Sequence, residues 1–311
     1  MKKYNQVVVC GSIAFDRIMT FDGDLSDHLS STSNISISLL CQNYTVAKGG
    51  TGANIATSLG LLEVPTSLVG AVGHDAQLYL QDLAALGVQV DQVKQSDKHT
   101  ATFHGLVDDT GKQIGSFYPG AMSSPQPIKA STKSLVIISA HDPEEMNKQV
   151  QACQEKSVDY IYDPAQQVSV LALNEIEIGL RKSMLAIFNT HELSILSSRF
   201  GLGLAEILNH TPQVIITHGD AGSTLHTGSE QTEIPVVKPT KVVDPTGAGD
   251  AFRAGLLAGL YSQWNLKDSA HLASTVASFA VEVSGGQNLS ASKSDIMDRH
   301  NSFFEKGDKI D

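Results

Sequence analysis

The residues best suited to chemistry lie at positions 244–250, where the chain reads DPTGAGD. Gly247, Ala248 and Gly249 are small, so the backbone can turn tightly there into the apolar helix that residues 251–260 predict. The N–H groups of such a turn point outward at the positive end of the helix dipole, where they can bind an anion. The turn is therefore suited to the negative charge that develops when a phosphoryl group is transferred.

Asp250 places a carboxylate beside this anion site, where it would repel a phosphate. The residue makes chemical sense there as a general base that takes the proton from an attacking hydroxyl. The alternative is a helix cap beside glycines that merely form a turn. A lone Gly-x-Gly-Asp favours the cap, whereas the full segment followed by AFRAG favours the general base.

Composition limits the kinds of partner that the chain can have. Among 311 residues, 41% are hydrophobic and the formal net charge is -11, with Lys and Arg scattered along the chain. We therefore expect neither nucleic acid nor an anionic membrane as a partner. Cys10, Cys41 and Cys153 are too far apart for a disulfide framework or a zinc site, which fits a reducing cytoplasm. No apolar stretch is long enough to span a bilayer.

Buried strands and helices alternate along most of the chain. The apolar run at 7–10 predicts a strand buried on both faces of a sheet, and Asp16 follows it near the carboxyl edge, where ligands bind in open α/β sheets. A turn residue is the alternative for Asp16. Further strands and helices are predicted at 67–72, 76–86, 134–139, 143–156, 159–163 and 184–189. This pattern predicts an α/β fold with a mostly parallel sheet, and no linker divides residues 1–311 into separate domains.

Period-two alternation marks a second kind of strand, half exposed and outside the main sheet. It occurs at 35–39, 44–46, 100–107 and 113–118, with a hairpin turn between the last two. We interpret these strands as a small β lid formed by insertions at about 17–47 and 98–120. Exposed lid strands are candidates for pairing two subunits, although the charged turn at Asp108 and Asp109 would oppose it.

Other turns place polar groups at helix starts or after strands. Gly49 and Gly50 permit close backbone approach to a ligand, and Asn54 follows in the first helical turn; a plain tight turn is the alternative. Asn189 and Glu192 can order waters around a magnesium ion or simply cap a helix. The small-residue loop at 217–222 suits a nucleotide or a plain hairpin. Near the C-terminus, we predict a helix over 269–283 ended by Gly285 and Gly286, and a short strand ending at Val242 and Val243.

Residues 244–260 resemble the C-terminal signature of the PfkB (ribokinase-like) family of sugar and nucleoside kinases, and residues 48–60 resemble its N-terminal signature. The resemblance extends from the first strand to Gly286. It implies a three-layer α/β/α fold with a β lid that closes over the phosphate acceptor. It also implies that Asp250 is the general base and that Gly247, Ala248 and Gly249 form the anion hole.

The same resemblance implies roles for further residues. The acceptor hydroxyls would be held by Asp16, Gly49, Gly50 and Asn54. The ATP site would include Asn189, Thr217, Gly219, Gly222, Gly247, Gly249, Ala277 and Gly285. Asn189 and Glu192 match the Asn-x-x-Glu element that orders water around Mg²⁺, and in some members of the family Asp244 and Thr246 help to bind K⁺.

Looser marks resemble the bacterial and archaeal nucleoside-kinase branch, namely residues 11–16, 117–122 and 163–166 and Arg253. Phe103, Phe117 and Met122 can form an apolar wall for a purine, which a free sugar does not need, or can simply pack inside the lid. Gln166 is a candidate polar contact to the acceptor.

Two other phosphate-binding schemes are excluded, because the chain has neither a Gly-x-x-x-x-Gly-Lys-Ser/Thr segment nor a Gly-x-Gly-x-x-Gly segment after the first strand. Together with the resemblance to the nucleoside-kinase branch, this predicts an ATP-dependent, magnesium-requiring kinase that phosphorylates the 5′-hydroxyl of a purine nucleoside: adenosine, with inosine and guanosine as further candidates. A ribokinase-like or fructokinase-like sugar kinase is the alternative. A non-catalytic nucleoside-binding protein on the same fold is more distant, because Asp250 is present.

Overall fold

The computed structural model describes residues 3–26 and 38–304. The strands in these residues are β1 Gln6–Cys10, β2 Ala14–Phe21, β3 Asn43–Gly49, β4 Thr66–Val72, β5 Val88–Gln89, β6 Val93–Gln95, β7 Ala101–Asp108, β8 Gln113–Tyr118, β9 Ser134–Ile138, β10 Tyr160–Tyr162, β11 Leu185–Asn189, β12 Gln213–Thr217, β13 Ser223–Thr227 and β14 Glu230–Ile234. The α-helices described over their whole length are α1 Thr51–Leu61, α2 Gln77–Ala85, α3 Pro143–Glu155, α4 Leu173–Leu180, α5 Thr190–Phe200, α6 Leu204–Leu208, α7 Ala248–Tyr261, α8 Leu266–Ala280 and α9 Lys293–Phe304.

The main sheet has the order β14-β13-β12-β11-β10-β9-β1-β4-β5, with β6 also paired to β4. The neighbouring strands β5, β4, β1, β9, β10, β11 and β12 are parallel, as is β6 with β4. β13 and β14 extend one edge of this sheet in antiparallel pairing. A parallel sheet needs helical crossovers, which the alternating helices supply. The predicted mostly parallel α/β sheet is therefore confirmed.

Helices cover both faces of this sheet. Val7 and Val9 pack in a core with residues of α1, α7 and α8, whereas Val8 and Cys10 pack in a second core with residues of α3, α4 and α5. Successive side chains of a strand project to opposite faces, so an unbroken apolar run is what a strand covered on both sides requires. The result is the predicted three-layer α/β/α arrangement. Among the helices that the structure describes, none combines the length and the apolar composition of a transmembrane span.

The predicted lid is a separate four-stranded sheet with the order β3-β2-β7-β8. β7 and β8 form the expected hairpin, and the Asp108 side chain accepts hydrogen bonds from the Thr110 and Lys112 N–H groups in its turn. The strand β2, which carries Asp16, belongs to this lid and was not predicted. Of the strand predicted at 35–39, residues 35–37 lie outside the described residues, and Ser38 and Leu39 are in no strand. The domain limits given above remain predictions.

The sequence interpretation is wrong in two places near the C-terminus. Val242 and Val243 are not in a strand and are 72% and 50% exposed. The Val243 N–H donates instead to the Val281 carbonyl over 2.8 Å, so the chain is held at the end of α8 rather than against a sheet. α8 itself ends at Ala280, before the predicted limit, and Gly285 lies beyond it in a turn with φ of 82°.

Candidate active site

The loop at residues 244–250, called the anion loop below, leads into α7. Gly247 has a left-handed φ of 81°. A Cβ there would lie 2.5 Å from the Cα of Gly286, so only glycine fits. The Ala248 N–H is used inside the turn, where it donates to the Pro245 carbonyl over 3.2 Å. Within the part of the chain that the structure describes, the N–H groups of Gly249 and Asp250 have no acceptor, so both can donate to an anion.

Asp250 lies half-buried in the first turn of α7, where its Oδ2 accepts a 2.7 Å hydrogen bond from Asn54 Nδ2. Burial raises the pKa of Asp250 to about 6, against the opposing effects of the nearby Arg253 charge and the Asn54 hydrogen bond. A carboxyl group with a pKa near neutrality is well matched to accepting a proton from an alcohol and releasing it again. The sequence analysis assigned Asp250 and Asn54 to the same acceptor site, and the structure places them in direct contact.

Asn54 is itself held by residues that sequence reasoning missed. Gln287 Nε2 donates to Asn54 Oδ1 over 2.9 Å and also to the Tyr79 hydroxyl, which in turn donates to the Gly49 carbonyl over 2.7 Å. These bonds join the anion loop to the glycine turn before α1. No local pattern marks Tyr79 or Gln287, because Tyr79 lies in an ordinary amphipathic helix and Gln287 lies in a turn.

α1 is docked closely on the end of β1. A Cβ on Gly52 would lie 2.6 Å from Gly11 Cα, and the Ser12 side chain accepts a 3.0 Å hydrogen bond from the Thr51 N–H. Gly50, which precedes the helix, has φ of 94°. The glycines of this segment therefore serve close packing as well as the predicted turn.

Asp16 lies on the lid, paired in register with Ala47 of β3 and Phe103 of β7. A Cβ on Gly49 would come within 2.5 Å of Asp16 Oδ2, so the glycine makes room for this carboxylate. Burial raises the pKa of Asp16. Asp16 is thus a partly buried carboxylate beside the glycine turn, as a residue that accepts hydrogen bonds from hydroxyl groups should be.

Two of the three residues predicted as an apolar wall, Phe103 and Phe117, are on the same lid face as Asp16. Phe103 pairs with Asp16 on one side and with Phe117 on the other, and directly paired residues project to one face. The Phe103 ring lies over Gly115, where a Cβ would meet it at 2.8 Å. Phe117 is 51% exposed, whereas Met122 is buried against Ala14 and Ala101 at the base of the lid.

Arg253 and Asp163 form a buried ion pair beside the anion loop. Arg253 Nε and Nη2 donate to the two Asp163 oxygens over 2.5 Å each, and Ser139 Oγ donates to Asp163 Oδ2 over 2.6 Å. The side chains of Arg253 and Asp163 are 7% and 0% exposed. Both residues belong to the looser marks of the nucleoside-kinase branch, but the sequence does not predict that they pair. Gln166, three residues after Asp163, is exposed.

The match to a family model agrees with this geometry. Residues 5–293 match the model described as pfkB family carbohydrate kinase. The chain belongs to this family. It is therefore a kinase, a phosphotransferase of the pfkB family, as the sequence resemblance implied.

The relatives include both nucleoside kinases and ribokinases. A nucleoside kinase of Methanocaldococcus jannaschii is 28% identical over 247 residues, covering 77% of this chain and 80% of that protein. A ribokinase of Lactococcus lactis subsp. lactis is 28% identical over 297 residues, covering 91% of this chain and 92% of that protein.

The fold is shared with solved structures. The nucleoside kinase of Burkholderia thailandensis in complex with inosine gives a TM-score of 0.83 at 29% identity, covering 96% of this chain and 98% of that one. Its complex with ADP-inosine gives a TM-score of 0.80 and covers 96% of both chains. The predicted ribokinase-like fold is confirmed.

In this pfkB-family kinase, Asn189 and Glu192 form a complete helix cap. Asn189 Oδ1 accepts from the Glu192 N–H over 2.8 Å, and the Asn189 N–H and Nδ2 donate to the two Glu192 oxygens. Glu192 is buried, which raises its pKa. The capping alternative is thus what the structure shows, and the magnesium role remains a prediction that the same carboxylate can also serve.

The loop predicted to contact the nucleotide connects the antiparallel strands β12 and β13, so the hairpin alternative describes its form. Gly219 and Gly222 have φ of 64° and 92°, and a Cβ on Gly222 would lie 2.4 Å from the Ile234 carbonyl oxygen. Thr217 lies beside Asn189 in the parallel register of β12 and β11. His218, which sequence reasoning missed, lies within hydrogen-bond distance of two threonine hydroxyls of neighbouring elements.

Asp244 organises the other end of the anion loop. It accepts hydrogen bonds from the Thr246 and Gly285 N–H groups, each over 2.9 Å, and thereby joins the loop to the turn after α8. Ala277 is half-buried on α8 in the same region. The potassium role predicted for Asp244 and Thr246, and the nucleotide role predicted for Ala277 and Gly285, remain predictions.

Proposed function

We propose that the chain is an ATP-dependent kinase that phosphorylates the 5′-hydroxyl of a purine nucleoside. The observation that carries the choice of acceptor is the lid face on which Asp16 lies in register with Phe103 and Phe117. A carboxylate suits the hydroxyl groups of a ribose, and an adjacent aromatic pair suits the flat, apolar face of a purine. The likeness to nucleoside kinases, one of them solved with inosine, supports the same choice.

In this proposal, Asp250 removes the proton from the acceptor hydroxyl as its oxygen attacks the terminal phosphorus of ATP. The bond from that phosphorus to the bridging oxygen breaks, and ADP leaves. The Gly249 and Asp250 N–H groups donate to the phosphoryl oxygens in transit, where charge develops. Asp16, Asn54 and the glycine turn at Gly49 and Gly50 hold the acceptor in line.

The residues present fit a magnesium ion held through water rather than directly. Glu192 accepts one hydrogen bond on each oxygen from Asn189, and each oxygen has a second lone pair for a bound water. When bound, magnesium neutralises the charge on the phosphates. The oxygens of Asp244 and Thr246 are hard ligands of the kind that a potassium ion takes, and we retain that site as part of the proposal.

The test of the acceptor is a panel of adenosine, inosine, guanosine, ribose and fructose with ATP and magnesium, read as ADP release and as the phosphorylated product. We expect kcat/KM for a purine nucleoside to exceed that for either sugar by at least about 100-fold, which corresponds to a few kcal/mol of recognition by the lid. Phosphorylation of ribose or fructose with no turnover of nucleosides would reject the proposal in favour of a sugar kinase. Nucleoside binding without turnover of any acceptor would identify a non-catalytic binding protein.

The lid also supports a proposal about assembly. β8 is an edge strand and all six of its residues are exposed, including Ile114, Phe117 and Tyr118. Such an edge can pair with the same strand of a second copy. We propose a homodimer through the lid, to be tested by light scattering with an Ile114→Lys variant.

We also propose that the protein works in a reducing cytoplasm, as the spacing of the cysteines leads us to expect.

A further inference from the structure

Arg253 lies one helical turn beyond Asp250 and on the same side of α7, since residues three apart share a face. Its guanidinium contacts two parts of the site. Nε and Nη2 donate hydrogen bonds to the Asp163 carboxylate at the end of β10, and Nη1 donates to the Gly249 carbonyl over 3.0 Å. A Cβ on Gly249 would lie 3.0 Å from Nη1, so the side chain lies directly over the anion loop.

Asp163 is fixed in its turn to the main sheet. Its N–H donates to the Ile138 carbonyl at the end of β9 over 2.9 Å, and Ser139 Oγ donates to its carboxylate. The bidentate geometry gives the guanidinium one orientation, because a planar fork meets a planar carboxylate along two parallel bonds. The anion loop is therefore tied through Arg253 and Asp163 to the ends of two central strands.

Charged and polar groups face Asp250 from several elements. Arg253 on α7 is positive, and Asp163 at the end of β10 is negative. Asn54 on α1 contributes a neutral amide, and Tyr79 on α2 contributes a hydroxyl whose pKa is raised by burial and by Asp16 and Asp250. Glu192 interacts with Arg253 from α5. Arg253 opposes the protonation of Asp250, and Asp163 favours it.

We propose that Arg253 is a positioning residue for phosphoryl transfer, which with Asp163 fixes the anion loop and by its charge stabilises the Asp250 carboxylate. This inference rests on the proposed role of Asp250 as general base. It goes beyond that role because it gives the neighbouring ion pair two separable effects, one geometric and one electrostatic. The two effects respond differently to substitution.

The test compares the pH dependence of kcat at saturating substrates for Arg253→Gln, Arg253→Lys and Asp163→Asn. In Arg253→Gln the base loses the nearby cation, so the acidic limb of the profile moves to higher pH by about 1 unit. In Asp163→Asn the anion is lost and the cation stays, so the limb moves to lower pH. Arg253→Lys keeps the charge without the planar fork, so kcat falls by about 10- to 100-fold while the limb stays near its wild-type position.

Arg299→Gln is the matched control. Arg299 forms an ion pair with Glu282 at 3.0 Å, with side chains 19% and 13% exposed, and it lies on α9, whereas Asp250 and Arg253 lie on α7. We expect its acidic limb to coincide with that of the wild type. Circular dichroism and thermal unfolding of every variant identify those that fold. If Arg253→Gln does not fold, Arg253→Lys still tests the geometric effect and Asp163→Asn still tests the electrostatic effect.

Opposite movements of the acidic limb in Arg253→Gln and Asp163→Asn support the inference. Movement in the same direction, or none in either variant, overturns it and leaves the pair a purely structural one. Failure of the underlying function is distinguished by Asp250→Asn: turnover in that variant refutes the general base, whereas an inactive Asp250→Asn with an unmoved limb in Arg253→Gln refutes only the role of Arg253.

Discussion

Replacing Asp250 by Asn should stabilise the ligand-free protein while it abolishes turnover. Burial raises the pKa of Asp250 to about 6, so at neutral pH the folded chain holds a carboxylate in a place that favours its protonated form. Asparagine has the shape of the protonated acid, and its amide oxygen can still accept the hydrogen bond that Asn54 Nδ2 donates. The variant therefore removes a charge without leaving a donor unpaired.

The magnitude follows from the difference between the folded and unfolded pKa. An ordinary aspartate has a pKa of about 3.9, so a rise of about 2 units corresponds to roughly 3 kcal/mol at neutral pH, and the partial exposure of Asp250 reduces this to about 1–2 kcal/mol. Because the folded pKa is the higher one, the group's contribution to stability is fully present below about pH 4 and is lost as the pH rises through about 6. The gain in the variant should follow the same interval.

The assay is chemical denaturation of wild type and Asp250→Asn between pH 4 and pH 8 without nucleotide, with turnover measured in parallel. We expect near-equal free energies of unfolding at pH 4 and a variant more stable by about 1–2 kcal/mol at pH 7. Asp91→Asn, at an exposed aspartate, serves as the control and should show no such gain. A variant less stable than wild type at pH 7, or a gain of the same size at every pH, would refute the reasoning.

Three further substitutions test the site. Phe117→Ala should raise KM for a purine nucleoside by about 10-fold, because the contact between the ring and the purine is lost. Tyr118→Ala, at the neighbouring residue on the opposite lid face, should leave KM unchanged. Equal effects of the two substitutions in steady-state kinetics would contradict the proposal that Phe117 contacts the purine. Gly247→Ala places a side chain at φ of 81°. The substitution should lower kcat and reduce the free energy of unfolding by more than about 1 kcal/mol. If the variant unfolds at the wild-type temperature and has wild-type turnover, the turn is not as closely packed as we infer. Gln287→Leu frees the Asn54 side chain to turn and should lower kcat by about 10-fold with little change in ATP KM; an unchanged kcat would show that Asn54 is held well enough without it.

Some of this protein was readable from its sequence because the relevant physics is local. The unbroken apolar run at 7–10 requires a strand with cover on both faces, and the small residues at 247–249 require a tight turn into a helix. The alternation at 100–107 and 113–118, with a polar turn between them, requires a hairpin. Each of these inferences uses interactions among residues a few positions apart, and each is confirmed.

The tertiary structure alone decided which of these pieces meet. Asp250 and Asn54 are 196 residues apart, Arg253 and Asp163 are 90 apart, and Gln287 and Asn54 are 233 apart. No local rule pairs them, because their contact depends on the order of strands in the sheet and on how closely glycines let α1 and α7 approach. The same limit explains the error at Val242 and Val243. Their β-branched side chains fit a strand, but the Val243 N–H donates to the Val281 carbonyl at the end of a helix. Interactions between residues close in sequence thus determined the strands, the tight turn and the hairpin. Packing between distant parts of the chain determined which side chains meet around the anion loop.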